Sequence, residues 1–195
     1  MSINEVRWLS ECGSTNAYAK EHFEEFGPVG AVYTTNQTAG RGRLGRSWVN
    51  AEGRALYYTA VIREPLAQPA TLPLLASLAV REQLARRYGA SLELQGAAVD
   101  LDADPQWLAE ALTDFGFDRP LYTFAREGFA PFREEYKAAC INLGRHVTFD
   151  LPGGELGSGT AIDVDADGQL IVRTDSGEER VFTGEVSVHG IYGAV

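Results

Sequence analysis

The run Gly40-Arg41-Gly42-Arg43-Leu44-Gly45-Arg46 constrains this 195-residue chain more than any other segment. Its three guanidinium groups repel one another, and its glycines are costly inside a helix or strand, so it reads as a loop. On either side lie residues suited to a pleated, half-buried surface: Ala31-Val32-Tyr33 before it, and the Tyr-, Thr- and Val-rich segment 55–62 after it. The expected nucleus of the fold is therefore a pair of strands joined by a charged, glycine-rich loop spanning 37–48.

Around that nucleus, Val6-Arg7-Trp8-Leu9 reads as a short first strand. Ser14 or Thr15 then caps a helix with apolar positions Ala17, Ala19 and Phe23, stopping at Gly27-Pro28. A leucine-rich helix is expected over 71–88, a weak strand over 90–94, a helix from Asp104-Pro105 to about residue 114, and another over 121–139. Past Leu143 the texture changes to short alternating runs such as Val147-Thr148-Phe149 and Leu170-Ile171-Val172. Turns at Gly153-Gly154, Asp167-Gly168 and Ser176-Gly177 separate these runs, the pattern of a small antiparallel β-barrel. The fold class is α+β, a mixed, largely antiparallel sheet flanked by helices and followed by that barrel. The expected boundary divides 1–142 from 143–195.

Charge narrows the function classes. A net charge of -10 repels polyanions, and three arginines in one loop are not a basic face, so no nucleic-acid partner is expected. The longest apolar stretch, 71–80, ends at Arg81-Glu82 and is too short to span a bilayer. The chain opens without a basic, then apolar leader, and Cys12 and Cys140 lack ligand or disulfide spacing, so a reduced, cytoplasmic setting is expected.

Side-chain-free positions let backbone N–H groups approach a phosphate, while guanidinium forks supply directed, permanently charged donors. Gly40, Arg41, Gly42, Arg43, Gly45 and Arg46 thus suit an anion that forms during catalysis; a solvated turn with chance arginines is the alternative. Ser14-Thr15-Asn16 has two readings as well, a helix cap or a set of ligand-binding groups, and the two can coexist. Trp48 is either core filler or a stacking surface and is not assigned to the site.

Taken together, Ser14-Thr15-Asn16, Gln37-Thr38-Ala39, the Gly/Arg run and Ser47-Trp48 resemble the signature of the biotin protein ligases. The resemblance implies a class II synthetase-like catalytic domain that activates biotin with ATP and passes it to a lysine of a biotin carboxyl-carrier protein domain. It further implies that Ser14, Thr15, Asn16, Gln37, Arg41, Gly42 and Arg43 bind biotin, with Arg41 and Arg43 catalytic and Gly40 to Arg46 facing the adenylate. Lipoate ligases share the fold, but their loop is arranged differently, and this chain follows the biotin version. The pattern starts at Val6, which is similar to the short, non-repressor type; a homodimer stays open.

The resemblance breaks near residues 88–90. There the family carries a Lys-Trp-Pro-Asn-Asp motif and a strand whose lysine contacts biotin and phosphate, whereas this chain has two lysines, Lys20 and Lys137, and no aspartate before Asp100. Both lysines read as surface residues of helices. Magnesium is expected from the family, yet none of Glu11, Glu64, Glu82 and Glu93 sits in a metal motif, and no metal site is assigned. Two functions follow: a ligase impaired by an internal deletion, or a non-catalytic remnant that binds biotin, nucleotide or carrier domain. The shortened sheet is expected to leave apolar faces that favour association.

Overall fold

The computed structural model describes residues 5–42, 47, 50, 55–88, 105–113, 119–151, 155–182 and 186–188. It separates into two compact units, Met1–Pro65 with Ala98–Tyr122, and Leu66–Ala97 with Thr123–Val195. The expected strand over 90–94 and the turn at Gly153-Gly154 lie outside the described residues.

In the first unit, β1 (Glu5–Trp8) runs parallel to β2 (Val29–Thr34), which pairs antiparallel with β3 (Tyr57–Ile62). Every residue of β2 is buried, as befits a central strand covered on both faces. Helix α1 (Thr15–Glu21) packs on one face of this sheet, where Ala19 joins Phe26, Val32 and Val61 in a small core. Of the expected apolar positions Ala17, Ala19 and Phe23, Ala19 is buried, together with Thr15, whereas Ala17 is exposed and Phe23 is 40% exposed. The helix ends early and a 3-10 turn, Phe23–Glu25, carries Phe23 off the helical periodicity. Helix α3 (Pro105–Ala111) contacts β1, and the Tyr58 hydroxyl on β3 meets Thr113 Oγ1 at 2.7 Å.

The second unit holds α2 (Leu72–Tyr88), the end of α4 (Arg119–Glu127), α5 (Arg133–Ala139) and the strands β4 (His146–Asp150), β5 (Leu156–Val164), β6 (Gln169–Thr174), β7 (Gly177–Phe182) and β8 (Val186–Val188). The single helix expected over 121–139 is in fact two. Gly128 adopts φ 69°, a left-handed conformation that ends α4, and Pro131 sits in the 3-10 turn that precedes α5. A side chain on Gly128 would also collide with Gln68, whose Oε1 accepts from the Phe129 backbone N–H at 2.7 Å and whose Nε2 donates to Asp167 at 3.2 Å.

The five strands form an antiparallel sheet in the order β7-β6-β5-β4-β8. The sheet is not the closed barrel that the alternating runs suggest, because β7 and β8 pair only with their inner neighbours among the described strands. Alternation nonetheless sets its inner face: Val147, Phe149, Ala161, Val164, Leu170, Val172 and Val181 are all buried. At the edge, Glu178, Glu179 and Arg180 of β7 are all exposed. No helix among the described residues is long and apolar enough to cross a membrane.

Candidate functional site

The site grows from the end of β2. Beyond Thr34 the chain runs alongside the segment before α1: Cys12 bridges Gln37 in parallel, Cys12 N–H donates to the Asn36 carbonyl at 3.2 Å, and the Thr38 and Ala39 N–H groups donate to the Cys12 and Gly13 carbonyls at 3.0 and 2.7 Å. This extension of the β1–β2 pairing carries the residues before the Gly/Arg run to the start of α1.

Three of the expected residues meet there. Gln37, 8% exposed, accepts at Oε1 from the Thr15 backbone N–H (2.9 Å) and from the Thr15 hydroxyl (3.2 Å). The Thr59 hydroxyl on β3 lies within donating distance of Thr15 Oγ1 (2.9 Å) and Asn16 Oδ1 (3.0 Å). A chain of donors thus runs from Thr59 through Thr15 to Gln37, and it occupies both Thr15 donors with one amide oxygen. Because Oε1 is so committed, the Gln37 Nε2 hydrogens remain available; among the described residues nothing accepts from them.

Ser14 is the helix cap, accepting from Ala17 N–H at 3.4 Å. At that length the bond is weak, and the hydroxyl retains its donor hydrogen for another partner. Thr59 was not identifiable from sequence, since a threonine inside a strand carries no distinguishing mark. Only the Val32–Thr59 register, which places it on the α1 face, connects it to the site.

Arg41 and Gly42 follow within a few residues of Gln37, Arg41 pairing antiparallel with Ser47. Arg43, Gly45, Arg46 and Trp48 lie outside the described residues. The Cys12 thiol is pushed up from its ordinary range, first by burial and then by the Glu11 carboxylate, so it is held as the neutral thiol. No group of three or more His, Cys, Asp or Glu side chains among the described residues is placed to hold a metal ion. Of the carboxylates considered, Glu11 accepts from Asn36 Nδ2 at 2.9 Å and Glu82 pairs with Arg86. Lys137, on α5, is ion-paired with Asp163 at 2.8 Å.

A recess of about 400 Å³ opens between Trp8, Tyr33, Thr35, Pro105 and Gln106. Tyr33 follows Val32 on β2, so this recess is on the sheet face opposite α1, and none of the expected site residues lines it.

Residues 11–100 match the model of the biotin/lipoate A/B protein ligase family, and residues 143–188 match that of the biotin protein ligase C-terminal domain. The fold is similar to that of the Aquifex aeolicus biotin protein ligase solved with biotin and ATP, at 21% identity and a TM-score of 0.76, covering 95% of this chain and 98% of that one. It is also similar to the Helicobacter pylori biotin acetyl coenzyme A carboxylase synthetase solved with biotinylated ATP (16% identity, TM-score 0.58, 95% and 100% covered). The Leishmania major biotin protein ligase solved with biotinyl-5-AMP matches at 21% identity and a TM-score of 0.54, with 91% and 98% covered.

Proposed function

Because the chain belongs to the biotin protein ligase family, we propose that it binds biotin between the start of α1 and Gln37, activates it with ATP, and passes it to a lysine of a biotin carboxyl-carrier protein domain. The observation that carries this reading is the state of Gln37. Its amide oxygen is saturated by Thr15 and, among the described residues, nothing accepts from its amide hydrogens, so it is preset as a donor. The ureido ring of biotin presents one carbonyl acceptor and two N–H donors, a fit for that amide beside the Ser14 hydroxyl and the Asn16 side chain.

A carboxylate is a poor electrophile. In the proposed reaction the biotin carboxylate attacks the α-phosphate of ATP, the bond to pyrophosphate breaks, and the resulting anhydride is attacked at its carbonyl carbon by the lysine amine, releasing AMP. Arg41 and Arg43 neutralise the phosphate charge, with Gly40, Gly42, Gly45 and Arg46 completing the loop. The ligase domain is assigned to 1–142 and the C-terminal domain to 143–195, and the family match beginning at residue 143 supports that division. An enzyme that consumes ATP and keeps Cys12 and Cys140 free belongs in the cytoplasm. The described carboxylates do not gather into a resident magnesium site.

Turnover is expected to be low. Deleting one charged donor from a preorganised site costs about two to three orders of magnitude, and neither Lys20 nor Lys137 supplies the lysine that the family uses. The same observation favours the second reading, a binding remnant without catalysis. Titration calorimetry with biotin, alongside biotin-dependent ATP–pyrophosphate exchange and carrier labelling, tests both. Biotin binding that weakens by about tenfold or more in Gln37→Leu, the loss expected when a buried hydrogen bond is removed, supports the site. Labelled carrier supports the enzyme, biotin binding without adenylate formation supports the remnant, and failure of the wild-type chain to bind millimolar biotin overturns the enzyme and leaves the remnant only nucleotide or carrier domain as ligand.

A further inference from the structure

A second polar chain lies beside the Thr59–Thr15–Gln37 chain. The Tyr57 hydroxyl donates to Asn50 Oδ1 (3.4 Å), Asn50 Nδ2 donates to Asn36 Oδ1 (2.6 Å), and Asn36 Nδ2 donates to Glu11 Oε2 (2.9 Å). All the bonds point the same way and end on an anion, an arrangement in which each bond polarises the next. Tyr57 and Thr59 are two residues apart on β3, so both chains stand on the same face of the sheet. Asn36 is bound through its backbone too: its N–H donates to Thr34 Oγ1 at 3.0 Å, and its carbonyl accepts from Cys12 N–H and Thr34 Oγ1.

Asn36 therefore joins three pieces of chain: the segment leading into α1 through Glu11 and Cys12, the end of β2 through Thr34, and the approach to β3 through Asn50 and Tyr57. Gln37 is its immediate neighbour. The amide of Asn36 could in principle turn over, and the Glu11 carboxylate prevents it, since only a donor can face that oxygen while only an acceptor can face Asn50 Nδ2.

We propose that Glu11, Asn36 and Asn50 are positioning residues, which fix the Cys12–Gln37 pairing and thereby hold the Gln37 amide against Thr15 for the bound ureido ring. The ligand part of this proposal rests on the biotin reading above; the positioning part does not. None of the three touches the ligand, and their effect passes through Gln37 and the two backbone bonds that follow it.

Asn36→Asp sets two carboxylates face to face at the Glu11 contact and breaks that link. It is expected to speed hydrogen exchange at the Thr38 and Ala39 amides by about tenfold and to weaken biotin binding by a similar factor, as for one lost charge-assisted hydrogen bond. Adding Glu11→Gln to Asn36→Asp restores a donor facing an acceptor and is expected to return both quantities to wild type. In Asn36→Asp alone, binding should recover as the pH falls and one carboxyl protonates, a profile that a packing defect would not produce. Should that variant fail to fold, Asn50→Ala reports the same two quantities with a smaller change. Unchanged exchange at Thr38 and Ala39 in Asn36→Asp, or no recovery in the double variant, overturns the proposal. A wild-type chain that ignores biotin while exchange responds as expected overturns the biotin reading and leaves the positioning intact.

Discussion

The two sheets of this protein hold their register by different means. In the first unit, β2 is buried along its whole length, and the strand ends are fixed by side-chain amides and hydroxyls: Gln37 on Thr15, Thr59 on Thr15 and Asn16, Asn36 on Glu11. In the second unit, alternating burial along β4, β5 and β6 sets the register, and a slip of one residue would turn Leu170 and Val172 to solvent. Polar fixing costs desolvation and leaves spare donors, which is what a binding site needs. Apolar alternation yields stability and no chemistry. On the function proposed above, the contrast places recognition on the first sheet and scaffolding on the second.

The largest effect expected from this contrast is in the second sheet. Leu170→Ala, at a side chain with no solvent exposure, should cost about 2–5 kcal/mol in urea unfolding, the range for a buried leucine truncated to leave a cavity. It should leave the affinity of the folded protein for biotin unchanged; a loss of affinity in the folded variant would break the division of labour.

A smaller effect concerns pH. Asp163 is held below the usual carboxylate range, first by Lys137, with a backbone bond to Val164 and the Arg133 charge adding to this and burial opposing it. A depressed carboxylate favours the folded state above its unfolded value of about 3.9, and that contribution is lost as pH falls through the lower folded value. Glu25 in the first unit is lowered in the same sense by His22 and then Arg7. Denaturant midpoints should therefore drop between about pH 5 and pH 2, and Asp163→Asn should flatten part of that drop. A midpoint profile identical to wild type in Asp163→Asn would remove this ion pair from the account.

The smallest effect is at the cap. Ser14→Ala gives up a 3.4 Å bond and should cost no more than about 0.5–1 kcal/mol in stability. If its biotin affinity falls by a larger factor than its stability, the hydroxyl acts on ligand as well as helix; equal losses would reduce it to a cap.

Much of this was legible from the residues alone. The Gly/Arg run placed a loop between β2 and β3, Ser14 was readable as a cap, and the strands past Leu143 announced themselves by alternation. What escaped depends on distant pairing. Thr59 joins the site only through its register with Val32, and Asn36 meets Asn50 across fourteen positions of chain. Barrel closure is likewise a statement about whether β7 finds β8, which alternation within each strand does not encode. The break between α4 and α5 carried its signals, Gly128 and Pro131, but apolar periodicity on both sides masked them.

Among the described strands β7 forms an outer rim of the sheet, and that rim carries Glu178, Glu179 and Arg180, all exposed, with Arg180 also 3.5 Å from Asp165. A strand arriving from another copy would have to strip hydration from three charges before its backbone could dock, and two of them would repel an identical rim. Charge at this margin thus opposes templated stacking of one copy on another.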